Sequence, residues 1–238
     1  MSLDSSSIIK FDNVDKYYSL GKTKVHAVKN VSFSLTKGDF VSFSGPSGSG
    51  KSTILNMIGC IDTSDNGIVT IDNKVTNGLK EEEITKLRHE TLGFIFQSFN
   101  LIPVLNIYEN IEFPLLFGKQ TEAQKEENKE WINYLIKTIG LEEWKEHKPN
   151  ELSGGQRQRV AVARALVTKP SIVLADEPTA NLDSKSSEGI IQLMKKMNKN
   201  LGTTFVFSTH DPDIVSIADH IIKLKDGEII SNVRNQEE

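Results

Sequence analysis

Apolar and polar residues alternate over Val31-Ser-Phe-Ser-Leu35, the period of a half-buried strand, and Ile68-Val-Thr-Ile71 follows a turn signal, Asp65-Asn66-Gly67. Both runs read as parts of antiparallel hairpins. Elsewhere the texture differs. Phe40-Val-Ser-Phe-Ser44, Ile172-Val-Leu-Ala175 and Thr204-Phe-Val-Phe-Ser208 are short apolar runs, each followed by turn chemistry and a helical stretch. That pattern suits central parallel strands covered on both faces. Residues from about 98 to 150 carry no strong strand signal. Within them Trp131, Ile132, Leu135, Ile136 and Ile139 recur at one-face helical spacing behind a charged segment, Lys119 to Glu130, which reads as a solvated face. The stretch is expected to be a helical insert. A second amphipathic helix is expected from Ser184 to Asn198, with Ile190, Ile191, Met194 and Met197 inward. No internal repeat appears.

The 238 residues suffice for one large domain with its own core, and 37% hydrophobic against 25% charged residues is ordinary globular composition. Lys plus Arg at 28 against Asp plus Glu at 32 leaves a net charge of −4, with no broad basic field for nucleic acid. One cysteine, Cys60, cannot form an internal disulfide, and the start, MSLDSSSIIK, lacks the basic and apolar regions of a secretory leader. No apolar run approaches the roughly 18 residues that span a bilayer, and the mean hydropathy of −0.31 agrees. The expectation is a cytosolic protein that reaches a membrane, if at all, through a partner.

The strongest chemical signal is Gly45-Pro46-Ser47-Gly48-Ser49-Gly50-Lys51-Ser52-Thr53, set between the strand Phe40 to Ser44 and the apolar helix Ile54-Leu-Asn-Met-Ile58. A loop that wraps a polyphosphate turns its backbone N–H groups inward, and the glycines at 45, 48 and 50 permit that geometry. Lys51 would meet the β- and γ-phosphates, Ser52 would offer its hydroxyl to Mg²⁺, and the helix N-terminus adds its dipole. A flexible glycine-serine turn is the bland alternative, but a chance match to the fixed positions is on the order of one in a hundred. The apolar run at Ile172 ends in two acids. Because successive strand residues point opposite ways, Asp176 would hold Mg²⁺ while Glu177 is left for an attacking water. Leu152-Ser153-Gly154-Gly155-Gln156 introduces a helical run, Arg157 to Val167, that reads as a second phosphate-binding helix start. One nucleotide rarely needs two such starts, so the economical geometry is a head-to-tail pair in which this helix caps the partner's γ-phosphate.

In motif order and spacing the chain resembles the nucleotide-binding subunit of ATP-binding cassette (ABC) transporters over residues 8 to 232. Gly45 to Thr53 is similar to the family's Walker A, Ile172 to Glu177 to its Walker B with catalytic glutamate, and Leu152 to Gln156 to its signature sequence. The resemblance implies an α/β fold: a P-loop NTPase cassette with a mixed RecA-like core sheet, an N-terminal antiparallel β subdomain and an inserted α-helical subdomain. It spans 1–238 as one cassette, with core and β subdomain at 8–97 and 151–232 and helices at 98–150. The resemblance also implies that Gln97 couples Mg²⁺ and water to a membrane partner, that His210 contacts the γ-phosphate, and that Tyr18, with Tyr17 competing, stacks on adenine. The other histidines, 26, 89, 147 and 220, are taken as structural or exposed. Ala180-Asn181-Leu182-Asp183 departs from the family's usual Ser-Ala-Leu-Asp but keeps the aspartate.

The resemblance therefore implies an ATPase using ATP and Mg²⁺, a homodimer when ATP is bound, and an integral membrane permease as partner. No nucleic acid and no direct membrane insertion are expected, and the place is the cytoplasmic face of the membrane. The cleft near Gln97 and residues 98 to 114 would receive a permease helix. Ile58-Gly-Cys-Ile-Asp62 and Phe94 to Pro103 resemble the lipoprotein-release, macrolide-export and antimicrobial-peptide-resistance group. A soluble cassette ATPase acting on nucleic acid or the ribosome usually carries a second cassette or a very long coiled-coil insert, absent here. A P-loop kinase has no use for Leu152 to Gln156.

Overall fold

The computed structural model describes residues 7–21, 23–118 and 120–235; the first six residues, read above for a leader, and Lys119 of the charged segment lie outside them. The fold is α/β, with one mixed and one antiparallel sheet. The antiparallel sheet comprises β1 (Ser7–Leu20), β2 (Thr23–Thr36), β4 (Asn66–Ile71) and β5 (Lys74–Val75) in the order β2-β1-β4-β5. The mixed sheet comprises β3 (Phe40–Ser44), β6 (Leu92–Ile95), β7 (Ile172–Asp176), β8 (Thr204–Thr209), β9 (His220–Lys225) and β10 (Glu228–Arg234), in the order β10-β9-β3-β8-β7-β6. Its strands run parallel except β10, which turns back on β9.

The helices are α1 (Lys51–Ile58), α2 (Glu81–Thr91), α3 (Ile107–Glu112), α4 (Glu122–Thr138), α5 (Gly154–Leu166), α6 (Ser184–Leu201) and α7 (Pro212–Ser216). Between residues 98 and 150 the described chain holds α3, α4 and short 3-10 turns, as the missing strand signal suggested.

The central runs are continuous in apolar residues because both faces of the mixed sheet are covered. Along β7, Ile172 and Leu174 join the core shared with α1 and the antiparallel sheet, while Val173 and Ala175 join the core shared with α3 to α6. Along β8, Val206 faces the first core and Phe205 and Phe207 the second.

Both runs lie in antiparallel pairs as expected: Val31 to Leu35 belongs to β2, which pairs with β1, and Ile68 to Ile71 belongs to β4, which pairs with β1 and β5. Two local expectations are corrected, the turn at 65–67 and the start of α5. Register shifts run along β1, with Asn13 at φ 49, and these bulges break the two-residue period that would have revealed the strand. Asn66 and Gly67 belong to β4 itself, opposite a register shift in β1. A Cβ at Gly67 would stand 2.3 Å from the Asn13 carbonyl oxygen, so the glycine serves a close strand approach rather than a hairpin turn. α5 starts three residues before Arg157, at Gly154, because Ser153 caps it.

Candidate active site

The mixed sheet brings the ends of β3, β7 and β8 together, and the polar motifs sit on those ends. Gly45, Gly48 and Gly50 have φ of 148, 77 and 102. A Cβ would stand 2.2 Å from the Leu224 carbonyl oxygen at Gly45 and 2.6 Å from that of Ala27 at Gly50, so a larger residue would push the loop off its supports. Lys51 is 7% exposed, and its ammonium donates to the Gly45 and Pro46 carbonyls at 2.8 and 2.9 Å. α1 follows Gly50, a cap residue with no side chain to cap it, which leaves its first N–H groups for a ligand in the loop. Ser49 is buried with a hydroxyl that has no partner among the described residues, and it does not line the cleft that the rest of the loop borders.

Ser52 Oγ donates to Asp176 Oδ1 at 3.2 Å, so two oxygens expected at a cation stand together. Among the described residues no three His, Cys, Asp or Glu side chains form a metal-holding group. Two oxygens suit Mg²⁺, which binds through one or two protein ligands and completes its shell with water and phosphate.

Glu177 is not divided from Asp176 by strand alternation. β7 stops at Asp176, and Glu177 takes a left-handed φ of 45, its N–H donating to Ser208 O at 2.8 Å. This turn places its carboxylate 2.9 Å from His210 Nδ1 and within 3.5 Å of the Thr209 hydroxyl.

These groups border one cleft of about 810 Å³, lined by Tyr18, Gly45, Pro46, Ser47, Gly48, Gly50, Lys51, Ser52, Thr53, Gln97, Asp176, Glu177 and His210. Between the competing tyrosines the structure brings in Tyr18. Its hydroxyl donates to Asp62 Oδ2 at 2.6 Å, and burial, reinforced by Asp62, pushes the phenol up to about 12. Tyr17 instead stacks on His26 at 4.1 Å. His26, held to Asp15 at 2.7 Å, and Asp226 also line the cleft. Sequence reasoning missed both, since β2 and the β9–β10 turn reach the cleft only through sheet packing.

Ser153, Gly154, Gly155 and Gln156 are not brought to this cleft within one chain. Ser153 Oγ accepts from Gln156 N at 3.3 Å, and Gln156 Oε1 accepts from Ser153 N at 2.9 Å, a reciprocal cap of α5. The loop after β7 is tied to its neighbours: Gln158 donates to Pro178 O at 2.6 Å, Thr179 to Asp211 at 2.7 Å, and Asn181 to Gln97 O at 3.0 Å. Asp183 caps α6 through Ser186, whose N–H and hydroxyl hold that carboxyl below its ordinary value.

A separate groove of about 960 Å³ lies between α2, β6 and the 113–117 turn, lined by Phe94, Phe96, Phe113, Pro114, Phe117 and Arg164 among others. Of the expected stretch 98 to 114, Asn100, Phe113 and Pro114 line it, while Gln97 faces the polar cleft.

A sequence model described as ABC transporter matches residues 28–180. The uncharacterized ABC transporter ATP-binding protein MJ0796 of Methanocaldococcus jannaschii is 51% identical over 223 residues, 93% of this chain and 95% of that protein. The macrolide export ATP-binding/permease protein MacB of Mannheimia succiniciproducens is 42% identical over 96% of this chain, which spans only 35% of MacB. A dimeric MJ0796 structure in a post-hydrolysis state, bound to ADP and Pi, superposes with a TM-score of 0.86 at 48% identity, covering 96% of this chain and 99% of that one.

Proposed function

The chain belongs to the ABC transporter family as an ATP-binding cassette, and from that premise we propose that it closes head-to-tail with a second copy around ATP and drives a membrane permease. The observation that carries this reading is a complete half-site. Phosphate loop, cation oxygens and the Glu177–His210 pair share one cleft, while the capped glycine start of α5 stands outside it. A second copy can supply that start. The dimeric MJ0796 structure with ADP and Pi supports the arrangement.

In this reading Lys51 and the N–H groups of α1 bind the β- and γ-phosphates, and Tyr18 stacks on the adenine. Ser52, Asp176 and Gln97 would hold Mg²⁺, which supplies charge neutralisation on the phosphate oxygens. Glu177 orients water for in-line attack, His210 positions Glu177 and contacts the γ-phosphate, and the Ser153 end of a second copy stabilises charge on the equatorial oxygens.

The apolar groove takes a permease helix, so the chain works at the cytoplasmic face of a membrane. Among the described residues no helix is long and apolar enough to cross one. The likeness to MacB, a macrolide export protein, supports an exporter; the resemblance at Ile58 to Asp62 and Phe94 to Pro103 extends the reading to an extracytoplasmic mechanotransmission system for lipoprotein or antimicrobial peptide. Within the fold, residues 8–97 and 151–232 form the nucleotide-binding core with its β subdomain, and 98–150 the helical arm that moves against it.

Glu177→Gln is expected to bind ATP yet hydrolyse little, accumulating a closed dimer on size-exclusion chromatography with ATP. A variant that stays monomeric and fully active refutes the assignment.

A further inference from the structure

Residues 97–100, which lead from β6 toward α3, are held to other elements by side chains. The carbonyls of Gln97, Phe99 and Asn100 accept from Asn181 Nδ2 at 3.0 Å and from the two terminal nitrogens of Arg164 at 2.7 and 2.5 Å. The Arg157 guanidinium also lies 5.1 Å from the Phe99 ring. Phe99 and Asn100 have φ of 62 and 50, a left-handed backbone that non-glycine residues keep only where surroundings impose it. The two anchors come from different places. Arg164 lines the apolar groove, whereas Asn181 stands four residues after Glu177 in a turn closed on itself by Ala180 N to Glu177 O at 3.3 Å and Leu182 N to Thr179 O at 3.0 Å.

We propose that Asn181 is a positioning residue for hydrolysis: its side-chain amide ties the Gln97 main chain to the turn that carries Glu177, and so sets the spacing between the two groups that flank the attacking water. The proposal rests on the ATPase reading above. Asn181 lines neither the phosphate loop nor the cleft at Tyr18, so its effect falls on turnover rather than on nucleotide binding. An amide is required, because a carboxylate of the same shape would set acceptor against acceptor. The side chain is exposed, which leaves the fold indifferent to its replacement.

Steady-state ATPase of the purified chain with Mg²⁺, for Asn181→Ala and the isosteric Asn181→Asp, tests this. In both, kcat is expected to fall about three- to tenfold, the scale of one ordinary hydrogen bond, with KM for ATP within about twofold. In a Gln97→Ala background, Asn181→Ala should change kcat by less than about twofold, because the group it positions is already gone. Hydrogen exchange should rise over residues 93–103 and not over β7. Unchanged kcat in both variants, a KM that rises with the fall in kcat, or multiplicative losses in the double variant would overturn the proposal. A wild-type chain without ATP hydrolysis would instead sink the reading on which it rests.

Discussion

Single side chains here answer to two demands, and the backbone angles show which one prevails. Glu177 sits at φ 45, unusual for a long side chain, because the β7 tip must turn its carboxylate onto His210 while its N–H still reaches Ser208. The run ending in two acids announced the pair, but the left-handed turn that aims the second depends on Ser208 in β8, 31 residues further along the chain. His220 shows the stability side. It is buried beside Asn232, Asp39 and Arg234, and burial, helped by the Arg234 charge, lowers its pKa from the ordinary 6.5. The folded chain therefore resists a proton that the unfolded chain accepts. This group imposes no penalty above pH 6.5, and stability declines as the pH falls below that value toward the lowered one. His220→Gln should flatten the urea midpoint between about pH 7.5 and 5.5 relative to the wild type; an unchanged slope in the variant contradicts this.

At the scale of elements, period and capping explain what could be read and what was hidden. α6 was legible because Ile190, Ile191, Met194 and Met197 share one buried face. β1 was not, because its bulges shift the pairing and destroy the alternation. β6 was missed because its four residues follow α2 without a break, and Gly93, whose Cβ would lie 2.2 Å from the Ala165 carbonyl oxygen, is a contact with α5 and not a turn. α5 carries a testable double duty. Ser153→Ala removes the hydroxyl that accepts from Gln156, which should lower unfolding free energy by about 1 kcal/mol. Because the same serine faces the triphosphate of a second copy in the proposed dimer, ATPase activity should fall well beyond any loss of folded protein. Denaturant midpoint and specific activity measured together separate the effects: activity that merely follows the folded fraction limits Ser153 to the cap.

At the scale of the whole molecule, the arrangement predicts complementation. A Lys51→Ala chain lacks the phosphate-loop ammonium but keeps its α5 start, and a Ser153→Arg chain has the reverse defect. Mixed with ATP and Mg²⁺, the two should recover an ATPase activity that neither shows alone, and no recovery would contradict the head-to-tail pairing. What the sequence by itself determined is the local chemistry: the glycine loop, the paired acids, the glycine-led helix start at 152–156 and the apolar strands, each legible because its cause lies within a few neighbouring residues. Only the tertiary structure decided which of these meet. Strand order sets β3 beside β8 and β8 beside β7, so that Ser52 reaches Asp176 and His210 reaches Glu177. It admits Tyr18 to the cleft and turns Tyr17 onto His26, and it ties Asn181 to Gln97. Contacts between residues far apart along a chain depend on sheet order and register, and no local pattern of residues encodes those.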